Sequence, residues 1–305
     1  SYEEMQNDVA KIRFSRVIEL EPNNAKAYYY LGMINHRKGH FTQAIDELSR
    51  AISLATDPTT MQFDLAKLYY DSSNWSEAKT ILEIILNLAP DYVDAIILYA
   101  QTLERLDQTR EAENEYLKAI ELSENNILAH ESLANLYEST DQIYKAEDEY
   151  LKVVEINPKH IEAQMSLAKI YIIRDLKDKA MMALNTVVEI EPHIFEAHLE
   201  LARINHGNNS LEEAAENYNK AISIKPNAPQ AHVELADVYL DLNKTSKAID
   251  EYNKALEIDP SLSDALINLG DLYNLGEHYD LASNCYRRLV ELDPQNHSAR
   301  FKLAE

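Results

Sequence analysis

A single cysteine, Cys285, stands in 305 residues, so no intrachain disulfide framework holds this chain together. A lone thiol names no redox compartment. Glycine and proline are scarce as well, at 5 and 9. So few turn residues argue against a strand-rich fold with many tight turns, and dispersed glycines make neither a phosphate-cradling loop nor a dinucleotide-binding fingerprint. Basic residues are outnumbered: 29 Lys and Arg face 52 Asp and Glu, for a formal net charge of -23. Such a chain repels a phosphate backbone, which makes nucleic acid a poor candidate partner and a basic or apolar protein surface a better one. No apolar run reaches the roughly 18 residues that span a bilayer; a strong patch such as Ala95 to Ala100 is soon interrupted by charge. The opening Ser1-Tyr2-Glu3-Glu4 is acidic, with neither an initiator methionine nor a signal-peptide pattern, as expected for a piece of a longer chain.

What is present is a 46% apolar composition, enough for a packed core, arranged with a period of 34 residues. Starts at Ala25, Thr59, Val93, Ile127, Ile161, Phe195, Pro229 and Ser263 align eight units without insertion. Position 8 of each unit is small: Gly32, Ala66, Ala100, Ala134, Ala168, Ala202, Ala236 and Gly270. Position 20 is alanine every time, from Ala44 to Ala282, and position 24 is leucine or tyrosine. Positions 3, 7, 8 and 11 share one helical face, as do 20, 24 and 27, so each unit reads as two amphipathic helices, A and B, with facing apolar stripes. Proline at position 32 in six units (Pro90, Pro158, Pro192, Pro226, Pro260, Pro294) cannot continue helix B and is expected at the opening of the next helix A. Thr56 and Glu124 replace it twice, and those junctions are expected to differ.

These residues resemble the tetratricopeptide repeat family, whose Trp-X2-Leu-Gly-X2-Tyr, Ala-X3-Phe, Ala and Pro pattern is matched in register over 25–296. The resemblance implies an all-α, right-handed α-solenoid of stacked antiparallel helix pairs. The repeats are then 25–58, 59–92, 93–126, 127–160, 161–194, 195–228, 229–262 and 263–296, preceded by a partial-repeat helix B in 1–24 and followed by the start of a further helix A in 297–305. The family's tryptophan position holds Tyr28, Gln62, Ile96, His130, Gln164, His198, His232 and Leu266.

In this family helix A lines a concave groove through positions 2, 5, 6, 9, 12 and 13, which gives the candidate partner-binding set. It is aromatic and mildly basic at the N-terminal end, with Lys26, Tyr29, Tyr30, Met33, Phe63, Lys67 and Tyr70, and suits an acidic-aromatic segment. It continues through Asn135, Met165, Lys169 and Leu199 to Glu200, Arg203, Glu234, Asp237 and Asp271, an acidic end that would attract a basic segment. The competing reading is that the apolar members flank the core and the charges only solvate the surface. Two known family grooves are not reproduced: no fifth position is lysine, as a chaperone-tail carboxylate clamp requires, and only Asn268 fills the sixth position of an asparagine ladder.

No catalytic constellation stands out. His130, His198 and His232 are read as packing residues, since neighbouring repeats hold them too far apart to share a metal. Cys285 has no adjacent cation to activate it. The helix-B carboxylates, such as Glu111, Glu113, Glu115, Glu147 and Glu149, read as exposed faces with lysine partners, Glu149 with Lys152 among them. No catalytic, cofactor or metal residue is expected. The expectation is a non-enzymatic scaffold that binds a protein or peptide, with two rivals: the substrate-recruiting arm of a larger enzyme such as a transferase, and self-association.

Overall fold

The computed structural model describes residues 2–304, with side chains from residue 8 onward. Regular structure among the described residues is entirely α-helical. One compact unit, Ser1–Pro158, contains α1 (Tyr2–Leu20), α2 (Ala25–Arg37), α3 (Phe41–Leu54), α4 (Thr59–Asp71), α5 (Trp75–Leu88), α6 (Val93–Arg105), α7 (Thr109–Leu122), α8 (Ile127–Ser139) and α9 (Ile143–Ile156). The other, Lys159–Glu305, contains α10 (Ile161–Ile173), α11 (Lys177–Ile190), α12 (Phe195–Gly207), α13 (Leu211–Ile224), α14 (Pro229–Asp241), α15 (Thr245–Ile258), α16 (Ser263–Leu275), α17 (Tyr279–Leu292) and α18 (His297–Ala304). Each unit is an α-solenoid of helix pairs: helix A packs on its own helix B, and helix B packs on the following helix A.

The close approach of A and B follows from the small residues. Every position-20 alanine is buried, and so is position 8. At Gly270 an added Cβ would lie 2.6 Å from Cε1 of Tyr286, and at Gly32 it would lie 2.9 Å from Cγ of Leu48. Position 24 therefore lies directly over position 8. Tyr116, Tyr150, Tyr218 and Tyr252 are the largest fully buried side chains.

Both turns are set by local chemistry. Within a repeat, position 15 takes a left-handed conformation every time: φ is 73° at Gly39, 62° at Ser73, 58° at Asp107, 59° at Asp141, 54° at Asp175, 61° at Asn209, 57° at Asn243 and 60° at Glu277. The amide of position 16 then reaches back to the carbonyl of position 11, as in His40 to Asn35 at 2.9 Å and Gln142 to Tyr137 at 2.8 Å. This is a Schellman cap, which reverses the chain while satisfying carbonyls that helix A leaves open. Gly, Asn and Asp tolerate that conformation; Ser73 and Glu277 pay more for it.

Between repeats the structure corrects the expected place of proline. Helix B stops at position 30, and positions 31–34 form a turn in which the amide of position 34 bonds the carbonyl of position 31, as in Tyr92 to Ala89 at 3.2 Å and Asn296 to Asp293 at 3.0 Å. Proline at 32 is thus the second residue of a β-turn, where its fixed φ is suited, and not in the first turn of helix A. Only Pro229 takes the latter role. The junction with Glu124 forms the same turn, with Asn126 bonding Ser123 at 3.0 Å. The junction at Thr56 differs, because Pro58 at position 34 has no amide to close it; Asp57 instead accepts from the amide of Thr59 at 3.1 Å and from its hydroxyl at 2.8 Å.

Ser73→Gly is expected to stabilise the protein by about 0.5–1 kcal/mol, the left-handed penalty less the added freedom of glycine when unfolded. Gly39→Ser, where an added Cβ meets nothing within 4 Å, should cost a similar amount. Urea midpoints measure both; equal midpoints would show that the turn carries no strain at position 15.

Candidate protein-binding surface

Helices A of successive repeats lie side by side, joined by side-chain bonds one repeat apart. In the first unit the Tyr29 hydroxyl donates to Asp64 Oδ2 at 2.7 Å, His36 Nε2 meets Asp71 Oδ2 at 2.9 Å, and Gln101 Nε2 donates to Ser132 Oγ at 3.3 Å. In the second, His206 meets Asp241 at 2.7 Å and Asn268 Nδ2 donates to Asp237 at 3.3 Å. Within each unit the helix-A side chains are thus held in a fixed register.

At its N-terminal end the aromatics divide. Tyr29 is half-buried and packs, with Met33, against the core around Leu48 and Leu65. Burial and then Asp64 raise its phenol pKa to about 12. Tyr30 remains 48% exposed, stacked on Phe14 of α1 at 5.2 Å and edge-on to Tyr29 at 5.2 Å. Lys26 and Lys67 are exposed. Phe63 packs on Tyr92 at 5.2 Å, and the Tyr70 hydroxyl accepts from Arg105 Nε at 3.3 Å. Tyr30, Lys26 and Lys67 therefore stay open to solvent, whereas Tyr29, Met33, Phe63 and Tyr70 are partly packed or bonded to neighbours. Phe14, half of the stacked pair, lies outside the candidate set.

Farther along, much of the acidic set also has structural work. Arg203 forks onto Glu234, with Nε to Oε2 at 2.9 Å and a terminal nitrogen to Oε1 at 2.8 Å, and reaches Glu200 at 2.7 Å. One cation thus offsets two acids, and its pKa is raised first by the bond to Glu234. Glu234 Oε2 also accepts the buried Tyr218 hydroxyl at 3.1 Å. Asp237 accepts from Tyr252, and burial pushes its carboxyl pKa up. Asp271 accepts from Tyr286 at 2.6 Å and from Lys302 at 2.6 Å, and Asn135 from Tyr150 at 2.5 Å. Met165 and Leu199 are half-buried, Leu199 against the core around Tyr218, while Lys169 is exposed.

Models of the "TPR repeat" and "Tetratricopeptide repeat" match residues 14–46, 93–126, 129–160, 203–243, 236–276 and 263–296, together more than half of the chain. The chain is a tetratricopeptide repeat protein. Among curated relatives, Protein O-mannosyl-transferase TMTC3 of Homo sapiens is 28% identical over 131 residues, which is 42% of this chain and 14% of that protein. A TPR repeat-containing protein of Halalkalibacterium halodurans is 28% identical over 124 residues, 41% of this chain and 55% of the relative. This tetratricopeptide array thus matches only part of either relative. Among solved structures, the C-terminal part of a TPR repeat-containing protein from Cytophaga hutchinsonii covers 90% of the chain at 16% identity and TM-score 0.57, with 99% of that chain matched. YrrB, a TPR protein with an unusual peptide-binding site, covers 62% at 17% identity and TM-score 0.55, with 98% of that chain matched. At these identities the likeness is one of fold.

The family's tryptophan slot has a distinct use here. His130 Nε2 lies 2.9 Å from the Glu124 carbonyl in the inter-repeat turn, and its Nδ1 lies 2.6 Å from Glu149 on helix B. His232 repeats this with Pro226 at 3.1 Å and Glu251 at 2.6 Å, and His198 with Pro192 at 3.0 Å and Asn217 at 3.3 Å. Each imidazole staples a turn to a helix. Glu149 is thus partnered by His130, while Lys152 bonds Glu155 at 2.8 Å; Glu147 is buried, so the reading of these carboxylates as a merely exposed face is corrected. Cys285 is buried, and burial raises its thiol pKa.

The Glu149 bond raises the pKa of His130 above the usual histidine value, against the effect of burial. With the folded value raised, its stabilisation is complete below the unfolded pKa of about 6.5 and is lost as pH rises through the folded value. The stability lead over His130→Gln, a residue this slot already holds at Gln62 and Gln164, should therefore be larger near pH 6 than near pH 9. Urea unfolding of both proteins at each pH checks this; a pH-independent difference would remove the charged pair from the account.

Proposed function

We propose that this tetratricopeptide array is a non-catalytic interaction scaffold that holds a peptide or helix of a partner protein against its helix-A face. The observation that carries the proposal is the pairing of a fixed ladder with side chains left outside it: Tyr30, Lys26 and Lys67 stay exposed while their neighbours are bonded and packed. A stacked phenol flanked by cations fits an aromatic side chain beside a carboxylate. In the second unit, Glu196 and Asp264 are exposed and carry the same kind of preference for cations. Arg203 already compensates Glu200 and Glu234, so a basic segment there answers to the remaining acids. YrrB's peptide-binding site supports the reading by analogy of fold.

A second reading rests on one observation, the likeness to a relative named as an O-mannosyl-transferase. On that reading the same face recruits a substrate protein to catalysis carried elsewhere in a larger enzyme. Both readings place recognition on helix A.

Peptides selected from a displayed random library by the wild-type chain, then titrated by fluorescence anisotropy, test the proposal. Tyr30→Ser combined with Lys26→Glu and Lys67→Glu should weaken peptides rich in aromatics and carboxylates at least about tenfold, with stability lowered only by loss of the Phe14 stack, about 1 kcal/mol. Equal affinity for wild type and variant would move recognition off this face.

A further inference from the structure

Helix B has an outward face, where the repeats act as controls for one another. Position 25 holds Ser49, Glu83, Asn185, Asn219, Asn253 and Arg287 in six repeats. It is leucine only in the adjacent third and fourth, where Leu117 and Leu151 are 45% and 40% exposed. A polar residue here can have structural work. Asn219 Nδ2 donates to the Ala215 carbonyl at 2.6 Å and to the Tyr239 hydroxyl of the next repeat at 3.3 Å, and Asn253 does the same with Ile249 at 2.9 Å and Tyr273 at 3.3 Å. In the third repeat that work has moved. The equivalent hydroxyl, on Tyr137, donates to Glu113 at 2.8 Å, and Lys145 bonds the same carboxylate at 3.2 Å. Position 25 is thereby released, and leucine fills it facing water.

Tyr144, seven residues before Leu151 on the same helical face, is 70% exposed. Exposed Asp148 lies between them in sequence, and exposed Glu121 stands one turn beyond Leu117. The nearby cations are engaged: Lys118 pairs with Glu115 at 3.9 Å, Lys145 and Arg110 both act on Glu113, and Lys152 bonds Glu155 at 2.8 Å. Beside the leucines the uncompensated charge is therefore negative. A second copy of the chain, itself at -23, would be repelled from such a surface.

We propose that the outward faces of α7 and α9 form a docking surface, separate from the helix-A face, for an amphipathic helix of a partner protein. That helix presents an apolar stripe to Leu117, Tyr144 and Leu151 and places Lys or Arg beside Asp148 and Glu121. The leucines supply affinity and the acids supply orientation and selection by charge.

The test uses the whole chain and three fluorescent synthetic peptides: an amphipathic helix with leucines at i, i+4 and i+7 flanked by lysines, an isomer with the leucines scattered, and a version with glutamate for lysine. The first should bind at physiological salt, at least about tenfold tighter than either of the others. Leu117→Asn with Leu151→Asn, residues that position 25 already carries in three repeats, should weaken it at least tenfold with melting unchanged. The Lys26→Glu and Lys67→Glu variant should bind it normally, so failure here and failure of the helix-A reading are told apart. Hydrogen exchange should show protection on α7 and α9. No binding, equal binding of the scattered isomer, or indifference to the asparagine pair would overturn the proposal. So would a wild-type dimer in sedimentation that the asparagine pair dissolves, since a second copy would then be the occupant.

Discussion

The close approach of helix A to helix B, allowed by small residues at positions 8 and 20, is the constraint on which the other features depend. With Ala248 fully buried and only 2.6 Å between a notional Cβ at Gly270 and Tyr286, the pair leaves one place for a large side chain, and position 24 fills it. A larger residue at 8 or 20 would displace that side chain and forfeit contacts worth several kcal/mol in a packed interior. Repeats that agree at these positions can differ almost anywhere else. That is why repeats with little identity on their faces share one frame.

Tyrosine at position 24 couples this frame to the surface. Its ring is buried, but its hydroxyl needs a partner, and the partners stand on helix A: Glu104 for Tyr116, Glu138 at 2.8 Å for Tyr150, Glu234 at 3.1 Å for Tyr218 and Asp271 at 2.6 Å for Tyr286. A bond to a charged acceptor contributes roughly 1.5–3 kcal/mol. Acids that look like a solvated face in the sequence are therefore partly core chemistry, and the repeats with Leu48, Leu82 and Leu184 at position 24 lack this requirement. The net negative charge has a structural origin in part, which lowers the share of it that can be assigned to a ligand.

The 34-residue period was legible because helix packing imposes residue size at fixed intervals, and size survives in the sequence as Ala and Gly. The left-handed turn was less visible. Its position 15 runs through Gly, Ser, Asp, Asn and Glu, a set united by a backbone angle and by no common side chain. The histidines show the same limit from the other side. His130 and His232 occupy a packing slot, as expected, but their pairing with Glu149 and Glu251 nineteen residues onward depends on a crossing between helices that spacing alone does not specify. On the helix-A face, Lys26 and Lys67 could be named in advance. The division between exposed Tyr30 and bonded Tyr29 could not, because adjacent tyrosines differ only in which helix each meets.

A repeat array also separates two kinds of information that a globular fold mixes. Each position recurs in a nearly constant backbone setting, so a residue shared by all repeats answers to the frame, and one that departs in adjacent repeats answers to something local. Tyr30 is the one tyrosine at position 6, on one side of the helix pair, and Leu117 and Leu151 are the two leucines at position 25, on the other. The core between these faces is built from positions 8, 20 and 24, and none of Tyr30, Lys67, Leu117 and Leu151 belongs to those positions. With each face binding as proposed, additivity of their variants follows from the distance and packed core between them.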